Sequence, residues 1–387
     1  MEQWKKCKIR DIVEVNAAQY TSKDNWEKAL YLDTGNITEN KIDEMQEFDC
    51  SSLPSRARRK VKHGDIIFST VRPNQKHYGY ITNPVPNLLV STGFAVISVN
   101  QELANSKFIY YWLSQDEIVE YLHNIAEQSV SAYPSIKASD ICNLEIKLPP
   151  LEYQSKVASI LSTLENKISL NHRINGNLEQ QAQALYAKAF SSTNTCKMGD
   201  VVETTSGGTP SRKNQNYFSS QGIKWIKSKE LNGSFIFDSE EHISNDGLCN
   251  SSAKLLPPNS TLIAMYGATV GAYGLTIDNA TCNQAICALL PNSQYPYTYL
   301  YMWAKNNKDE LIQKAIGSAQ QNISQIIIKN MPVANEKDKI IRFDSDTRYI
   351  FSLMRSLAKE NYNLIALRDA LLPRLMSGEL KFNDLNR

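Results

Sequence analysis

The sequence predicts a mixed α/β (α+β) chain, built as two similar strand-rich domains plus a pair of long, antiparallel, coiled-coil-like helices. Three observations predict it. The stretch LPPLEYQSKVASILSTLENKISLNHRINGNLEQQAQALYAKAF at 148–190 has a degraded echo at 331–375, MPVANEKDKIIRFDSDTRYIFSLMRSLAKENYNLIALRDALLPRL. A domain-sized stretch precedes each copy. Within those stretches, short runs of Val, Ile, Phe and Thr alternate with Gly, Asn and Pro punctuation, the pattern of strands joined by turns. The expected division is a first domain at 1–147, a central connector helix at 148–192, a second domain at 193–330 and a C-terminal connector helix at 331–387.

The repeat extends into the domains. Ile9-Arg10-Asp11-Ile12-Val13-Glu14 matches Met198-Gly199-Asp200-Val201-Val202-Glu203. Asp65-Ile66-Ile67-Phe68-Ser69 parallels Ser260-Thr261-Leu262-Ile263-Ala264, and the run from Ser91 to Ile97 parallels that from Thr281 to Cys287. The members of each pair stand roughly 190 residues apart, far beyond any solenoid period, which signals domain duplication. Strand-like runs (88–99 and 260–277) are followed in each half by helical patterns (106–125 and 297–316).

In the first connector, Val157, Leu161, Leu164, Ile168, Asn171, Ile174, Leu178, Ala182, Leu185 and Ala189 step by three or four residues. In the second, Ile340, Phe343, Thr347, Ile350, Met354, Leu357, Asn361 and Leu364 do the same, continuing through Leu367, Leu371 and Leu375. This is one narrow apolar seam per helix, suited to pairing. About 40 helical residues span about 60 Å. Each seam carries a polar member, Asn171 or Asn361, of the kind that fixes register at some cost in stability. Gly176 is a soft spot, Pro373 should kink or end the second helix, and Gly378 is a C-cap candidate. An ordinary pair of amphipathic core helices is the plainer alternative, but such helices average about 11–12 residues.

Composition narrows the function. Lys and Arg number 42 against 40 Asp and Glu, so nucleic-acid binding must use local patches. Seven cysteines in no C-x-x-C spacing, with no histidine cluster, argue against a disulfide framework or a zinc site and fit a reducing cytoplasm. The N-terminal MEQWKKCKIRDIVEV has no apolar core of a signal peptide, and no run of about 18 apolar residues suggests a membrane span.

A search for catalysis finds no phosphate loop, no G-x-G-x-x-G opening a helix, and no G-x-S-x-G or H-E-x-x-H setting. The methyltransferase tetrapeptide [DNS]-P-P-[YF] is also absent, since Leu148-Pro149-Pro150-Leu151 and Leu256-Pro257-Pro258-Asn259 have the wrong flanks. No catalytic residue and no metal ligand is therefore assigned. What both halves do contain is polar, basic, glycine-bearing loops. Arg56, Arg58, Arg59, Lys60, Lys62 and His63 crowd together, followed by RPNQKHYGY at 72–80. The second half has SGGTPSRKNQNYF at 206–218, then Lys224, Lys227 and Lys229, and a polar loop containing Gln320, Gln321 and Asn322. Arg and Lys suit phosphates, while Asn, Gln and Arg can read base edges. A solvated surface with ordinary turns is the bland alternative. On residues alone a DNA-reading scaffold, a self-contained DNA methyltransferase or nuclease, and a coiled-coil adaptor all stay open.

The chain resembles the specificity subunit of type I restriction–modification systems over essentially its whole length. The likeness rests on Pro149, Pro150, Leu151, Glu152 and Gln154, which look like the family connector P-P-L-x-E-Q with Tyr153 displaced. It rests also on SGGTPSRKNQNYF with IKWIKSKELN, on YGATVG at 266–271, on Thr281-Cys282-Asn283-Gln284-Ala285, and on GSAQQNIS at 317–324. The C-terminal connector is poorer, with Asn335-Glu336-Lys337, and LLPRLMSGEL restores the likeness. The resemblance implies that 1–147 and 193–330 are target-recognition domains, each reading half of a bipartite, asymmetric target on double-stranded DNA. It implies that the helices set the gap between half-sites and dock two methyltransferase subunits. Those subunits bind S-adenosylmethionine and methylate adenine N6; this chain binds no cofactor, and a separate motor-nuclease subunit adds cleavage. Half-site centres about 34 Å apart face one side of a duplex. Reading loops vary, so the family transfers no base contacts, and the DNA-binding residues are chosen physically: Arg56, Arg58, Arg59 and Lys60 for phosphates; Arg72, Asn74, Gln75, Lys76, His77 and Tyr78 near bases; Ser206, Gly207, Gly208, Thr209, Pro210, Ser211, Arg212, Lys213, Gln320, Gln321 and Asn322 in the second domain.

Overall fold

The computed structural model describes residues 4–129, 133–315 and 322–380. The chain forms two compact units. One takes the described residues before 167 and after 365, and the other is Lys167–Ile365. Each mixes strands and helices, as the alternating punctuation predicts.

In the first unit, one sheet runs Val13–Val15, Phe94–Val99, Ile66–Ser69, Tyr78–Tyr80, with all neighbours antiparallel. Ile66–Ser69 is buried at every position, as a strand covered on both faces should be, which explains its unbroken apolar run. A second sheet runs Gln46–Asp49, Lys28–Leu32, Leu88–Ser91, Ala57–Lys60, and its central pair is parallel. Helices Ser106–Leu113 and Asp116–Glu127 close the core over Phe108, Ile109, Val119 and Leu122.

The second unit repeats this topology. Thr204–Ser206, Ile286–Leu289, Thr261–Ala264 and Tyr273–Thr276 follow the order of the first sheet, with Phe235–Ile236 added at the edge. Ile223–Ile226 pairs parallel with Thr281–Cys282, as Lys28–Leu32 does with Leu88–Ser91. Closing ribbons correspond too: Lys5–Lys8 with Glu145–Leu148, and Thr195–Lys197 with Pro332–Ala334. Even single hydrogen bonds recur, with Ile9 N donating to Leu144 O at 3.0 Å and Met198 N to Met331 O at 2.9 Å.

The two long helices are Leu151–Phe190 and Lys337–Ser377. Every expected seam position of the first is buried or half-buried, and in the second only Leu367, 47% accessible, faces solvent. Within the second unit they pair antiparallel: Asn361 Nδ2 donates to Ile168 O at 3.1 Å, and Asn175 Nδ2 to Met354 O at 3.2 Å. In the first unit Tyr153 OH donates to Leu375 O at 2.9 Å. Each helix serves both cores, with Val157, Leu161 and Leu375 in the first and Ala182, Ile340 and Phe343 in the second.

Pro373 does not end the second helix, which continues to Ser377. Leu375 and Met376 beyond it are buried in the first unit's core; burying two such side chains contributes about 3–6 kcal/mol, enough to offset a proline penalty of about 3 kcal/mol. Gly378, with φ of 74°, stands just past the end, as a C-cap glycine does. Gln154, part of the connector motif, is buried and structural. Its Oε1 accepts from Asn105 N at 2.8 Å and its Nε2 donates to Pro149 O at 2.7 Å, fixing the entry to helix Ser106–Leu113.

Among the described residues no helix is long and apolar enough to cross a membrane, and no cluster of metal-ligating groups occurs. The cysteines are free thiols; burial pushes those of Cys282 and Cys287 up to about 12.

Candidate nucleic-acid interface

In the first unit, strand Ile66–Ser69 ends in a turn, residues 71–77, that the fold holds under strain. Arg72 and Lys76 both adopt left-handed backbone, with φ of 47° and 55°. Such non-glycine residues cost roughly 1–2 kcal/mol each and gather at functional sites. The turn is pinned by Arg72 N donating to Pro134 O at 2.9 Å and Ile136 N donating to Thr70 O at 2.9 Å. The guanidinium of Arg72 lies over the Tyr133 ring, 5.3 Å from its centroid.

Arg72 and Gln75 line a cleft of about 410 Å³ with Thr34, Arg56, Val71, Tyr133 and Ser135. Arg56 from one basic run and Arg72 and Gln75 from the other therefore meet on one surface. Arg56, Arg72, Asn74 and Gln75 are exposed, and no ion pair holds Arg56 or Arg72 among the described residues. A mixed cationic and amide surface of this kind can bind phosphate and read base edges.

Other expected residues of this unit are engaged inside the protein. Tyr78 is only 5% accessible, stacks on Phe68 at 5.7 Å and belongs to the core. Its place on a strand, pointing inward, overrides its polar neighbours. Lys76 is held by Asp116 at 2.7 Å and Glu39 at 3.1 Å, and these carboxylates push its pKa upward. Lys60 pairs with Asp24 and lies 5.2 Å from the centroid of Trp26. His77 Nδ1 lies 2.6 Å from Ile37 O. Arg59 is half-buried, with Nε and Nη1 unpartnered among the described residues, and burial lowers its pKa. Arg58 stays exposed, its Nε donating to Ser55 O at 3.3 Å.

The second unit neutralises most of its basic loops. Arg212 forms a two-pronged pair with Glu241 and packs its guanidinium 4.3 Å from the Phe218 centroid. Lys227 meets Glu241 at 2.8 Å and Glu240 at 2.9 Å; Lys229 meets Glu240 at 2.8 Å and Lys224 meets Asp278 at 3.1 Å. Arg212 and Lys227 together hold the Glu241 carboxyl down at about 2. The glycines expected to approach phosphate approach backbone instead. A Cβ on Gly207 would stand 1.9 Å from Cys282 O, and one on Gly208 would stand 2.2 Å from Ser252 Oγ. Ser206 completes strand Thr204–Ser206. Ser211 and Lys213 are exposed, Pro210 is buried, and exposed Thr209 donates to Gln284 Oε1. Gln320 and Gln321 lie outside the described residues; Asn322 is exposed and bridges to Tyr266.

Reading the residues singly left Tyr266 and Gln284 outside the candidate set, although the match of 66–69 to 261–264 aligns turn 71–77 with 266–271.

The chain matches the family model described as the type I restriction modification DNA specificity domain, over residues 1–180 and again over 191–341. It is 25% identical over 462 residues to the type I restriction enzyme HindI specificity subunit of Haemophilus influenzae, covering 98% of this chain and 100% of that one. It is 23% identical over 430 residues to the MjaIX specificity subunit of Methanocaldococcus jannaschii, covering 99% and 94%. The crystal structure of the type I restriction–modification S subunit from M. genitalium superposes with a TM-score of 0.58 at 14% identity, covering 97% and 96%, a likeness of fold.

Proposed function

The chain belongs to the type I restriction modification DNA specificity family, and from that premise we propose that it reads a bipartite, asymmetric duplex target, one half-site per unit. It is a specificity subunit, and the catalysis of methyl transfer and cleavage belongs to other subunits. The observation that carries the reading is the repeated topology: one chain presents the same sheet order twice, each time with a turn that holds left-handed backbone at the same two places. Two similar but non-identical readers suit a target whose halves differ.

In this proposal Arg56, Arg72, Asn74 and Gln75 face DNA in the first unit, with Arg58 on phosphate. Thr209, Ser211, Lys213 and Asn322 face it in the second, and Gln320 and Gln321, next to Asn322 in sequence, are further proposed DNA contacts. Segments 1–147 and 193–330 act as target-recognition domains, and 148–192 and 331–387 as connectors that set the spacer and dock two methyltransferase subunits. S-adenosylmethionine sits on those partners, which methylate adenine N6, and a motor-nuclease subunit adds cleavage. Such a complex acts on cytoplasmic DNA.

The test is co-expression with its cognate methyltransferase subunit, whose reading frame is expected beside its own, in a host without competing modification, followed by methylome sequencing. A split motif with a fixed gap is expected. A continuous motif, or no methylation from an assembled complex, overturns the reading. Binding of labelled S-adenosylmethionine by the purified chain alone would favour a self-contained methyltransferase instead.

A further inference from the structure

Turns 71–77 and 266–271 occupy the same place in the two units. Each follows the central strand of its sheet, Ile66–Ser69 or Thr261–Ala264, and leads into its hairpin partner, Tyr78–Tyr80 or Tyr273–Thr276. Each is anchored by the same backbone bond, Ile136 N to Thr70 O at 2.9 Å and Ile323 N to Met265 O at 2.9 Å. Each opens with the same isolated bridge, Val71 to Ser135 and Tyr266 to Asn322. Each has left-handed backbone at two positions four apart: Arg72 and Lys76 in one, Gly267 and Gly271, with φ of 69° and 79°, in the other.

The side chains differ where the backbones agree. The first turn presents Arg72 and Gln75. The second puts glycine where Arg72 stands, and its large exposed side chain is Tyr266, 39% accessible. Met265 N donates to Ala285 O at 2.8 Å, which sets Gln284 beside this turn, and Gln284 accepts from Thr209. Tyr266, Gln284, Thr209 and Asn322 therefore share one edge, while Arg212, Lys224, Lys227 and Lys229 are occupied by carboxylates.

We propose that Tyr266 is a specificity-determining residue of the second unit, touching DNA bases in the half-site opposite the one read by Arg72. The inference rests on the reading of the chain as a two-unit DNA specificity subunit. A tyrosine offers a flat apolar face for a thymine methyl or an unstacked base and a hydroxyl for a base edge. It carries no charge, so this half-site is read with a smaller electrostatic share than the first.

The experiment compares wild type, Arg72→Ala, Tyr266→Ala and Tyr266→Phe chains, each co-expressed with the methyltransferase partner, by methylome sequencing and by co-purification. Tyr266→Ala is expected to co-purify normally and to relax at least one base of one half-site by tenfold or more. Arg72→Ala is expected to relax the other half only. Tyr266→Phe, an isosteric variant that guards against misfolding, relaxes the same position less. An unchanged motif in Tyr266→Ala, whether or not methylation is weaker overall, overturns the assignment. So does relaxation in the half that Arg72→Ala affects, or failure of both Tyr266 variants to assemble, which would make the residue structural. If wild type itself yields no split motif, the two-unit reading falls and takes this inference with it.

Discussion

Asn171 and Asn361 meet side chain to side chain between the two long helices, with Asn171 Nδ2 2.9 Å from Asn361 Oδ1. Both are buried; Asn171 is the single polar step in its seam, and Asn361 shares the second seam with buried Thr347, whose hydroxyl donates to Phe343 O at 2.7 Å. The pair is tied outward by Asn171 Nδ2 to Glu360 Oε2 at 2.8 Å and by Asn361 Nδ2 to Ile168 O at 3.1 Å. Buried amides of this kind fix register because a slip of the helices would leave them unpaired. Asn171→Leu alone should therefore destabilise the second unit by about 1–3 kcal/mol, the cost of a stranded buried amide. The double variant Asn171→Leu with Asn361→Leu should recover most of that loss. Urea unfolding of wild type, Asn171→Leu, Asn361→Leu and the double variant checks it, and equal destabilisation by the single and double variants would contradict the coupling.

Arg72 separates stability from recognition. Its left-handed backbone costs about 1 kcal/mol that glycine does not. Arg72→Gly should thus unfold at a denaturant concentration equal to or above wild type while relaxing one half-site. Arg72→Ala should relax the same half-site without the stability gain. A measured loss of stability in Arg72→Gly would mean that the contact with Tyr133 outweighs the strain.

Glu241 gives the acid response of the second unit. Arg212 and Lys227 hold its pKa at about 2 in the folded chain, below the ordinary 4.5. A depressed carboxylate stabilises the fold at pH above its unfolded value. That contribution is lost as pH falls from about 4.5 towards 2. Glu241→Gln should lower the melting temperature at neutral pH and narrow the difference from wild type as pH drops through that window. Parallel curves from pH 7 to pH 3 would show that the pair contributes nothing.

The fold was legible where burial follows chain spacing. A step of three or four residues located both helical seams because helix geometry alone puts those positions on one face. Leu367 broke the pattern: it is exposed although Leu371 and Leu375 beyond it pack into the first unit's core. The strand repeat was legible for the same reason: unbroken apolar runs such as Ile66–Ser69 mark strands covered on both faces. The site was less legible because charge does not declare its partner. Lys224, Lys227 and Arg212 read as a basic patch, yet their carboxylates stand 13–54 residues away in sequence. Tyr78 read as polar, but the alternation of its strand points it inward. Gly207 and Gly208 read as DNA-facing positions, while their close neighbours belong to the protein itself.

That last point yields a sharp prediction. Gly207 N lies 3.4 Å from Ile286 O and Gly208 N donates to Cys282 O at 3.0 Å, so the segment is packed edge-on against 282–286. Trp225 Nε1 donates to Gly208 O at 2.9 Å and closes the same corner. A methyl group on Gly207 meets Cys282 O at 1.9 Å, and only a shift of backbone in one of two hydrogen-bonded segments relieves it. Overpacking of this severity costs about 1–3 kcal/mol or more. Gly207→Ala should therefore lower the unfolding midpoint of the second unit and abolish methylation at all sites, because both half-sites are needed. Lys213→Ala, on the exposed loop beside it, should leave stability within about 0.5 kcal/mol of wild type, weaken DNA binding evenly across sequences and make its salt dependence shallower. Normal stability of Gly207→Ala with DNA binding lost would restore the reading of Gly207 as a DNA-facing residue.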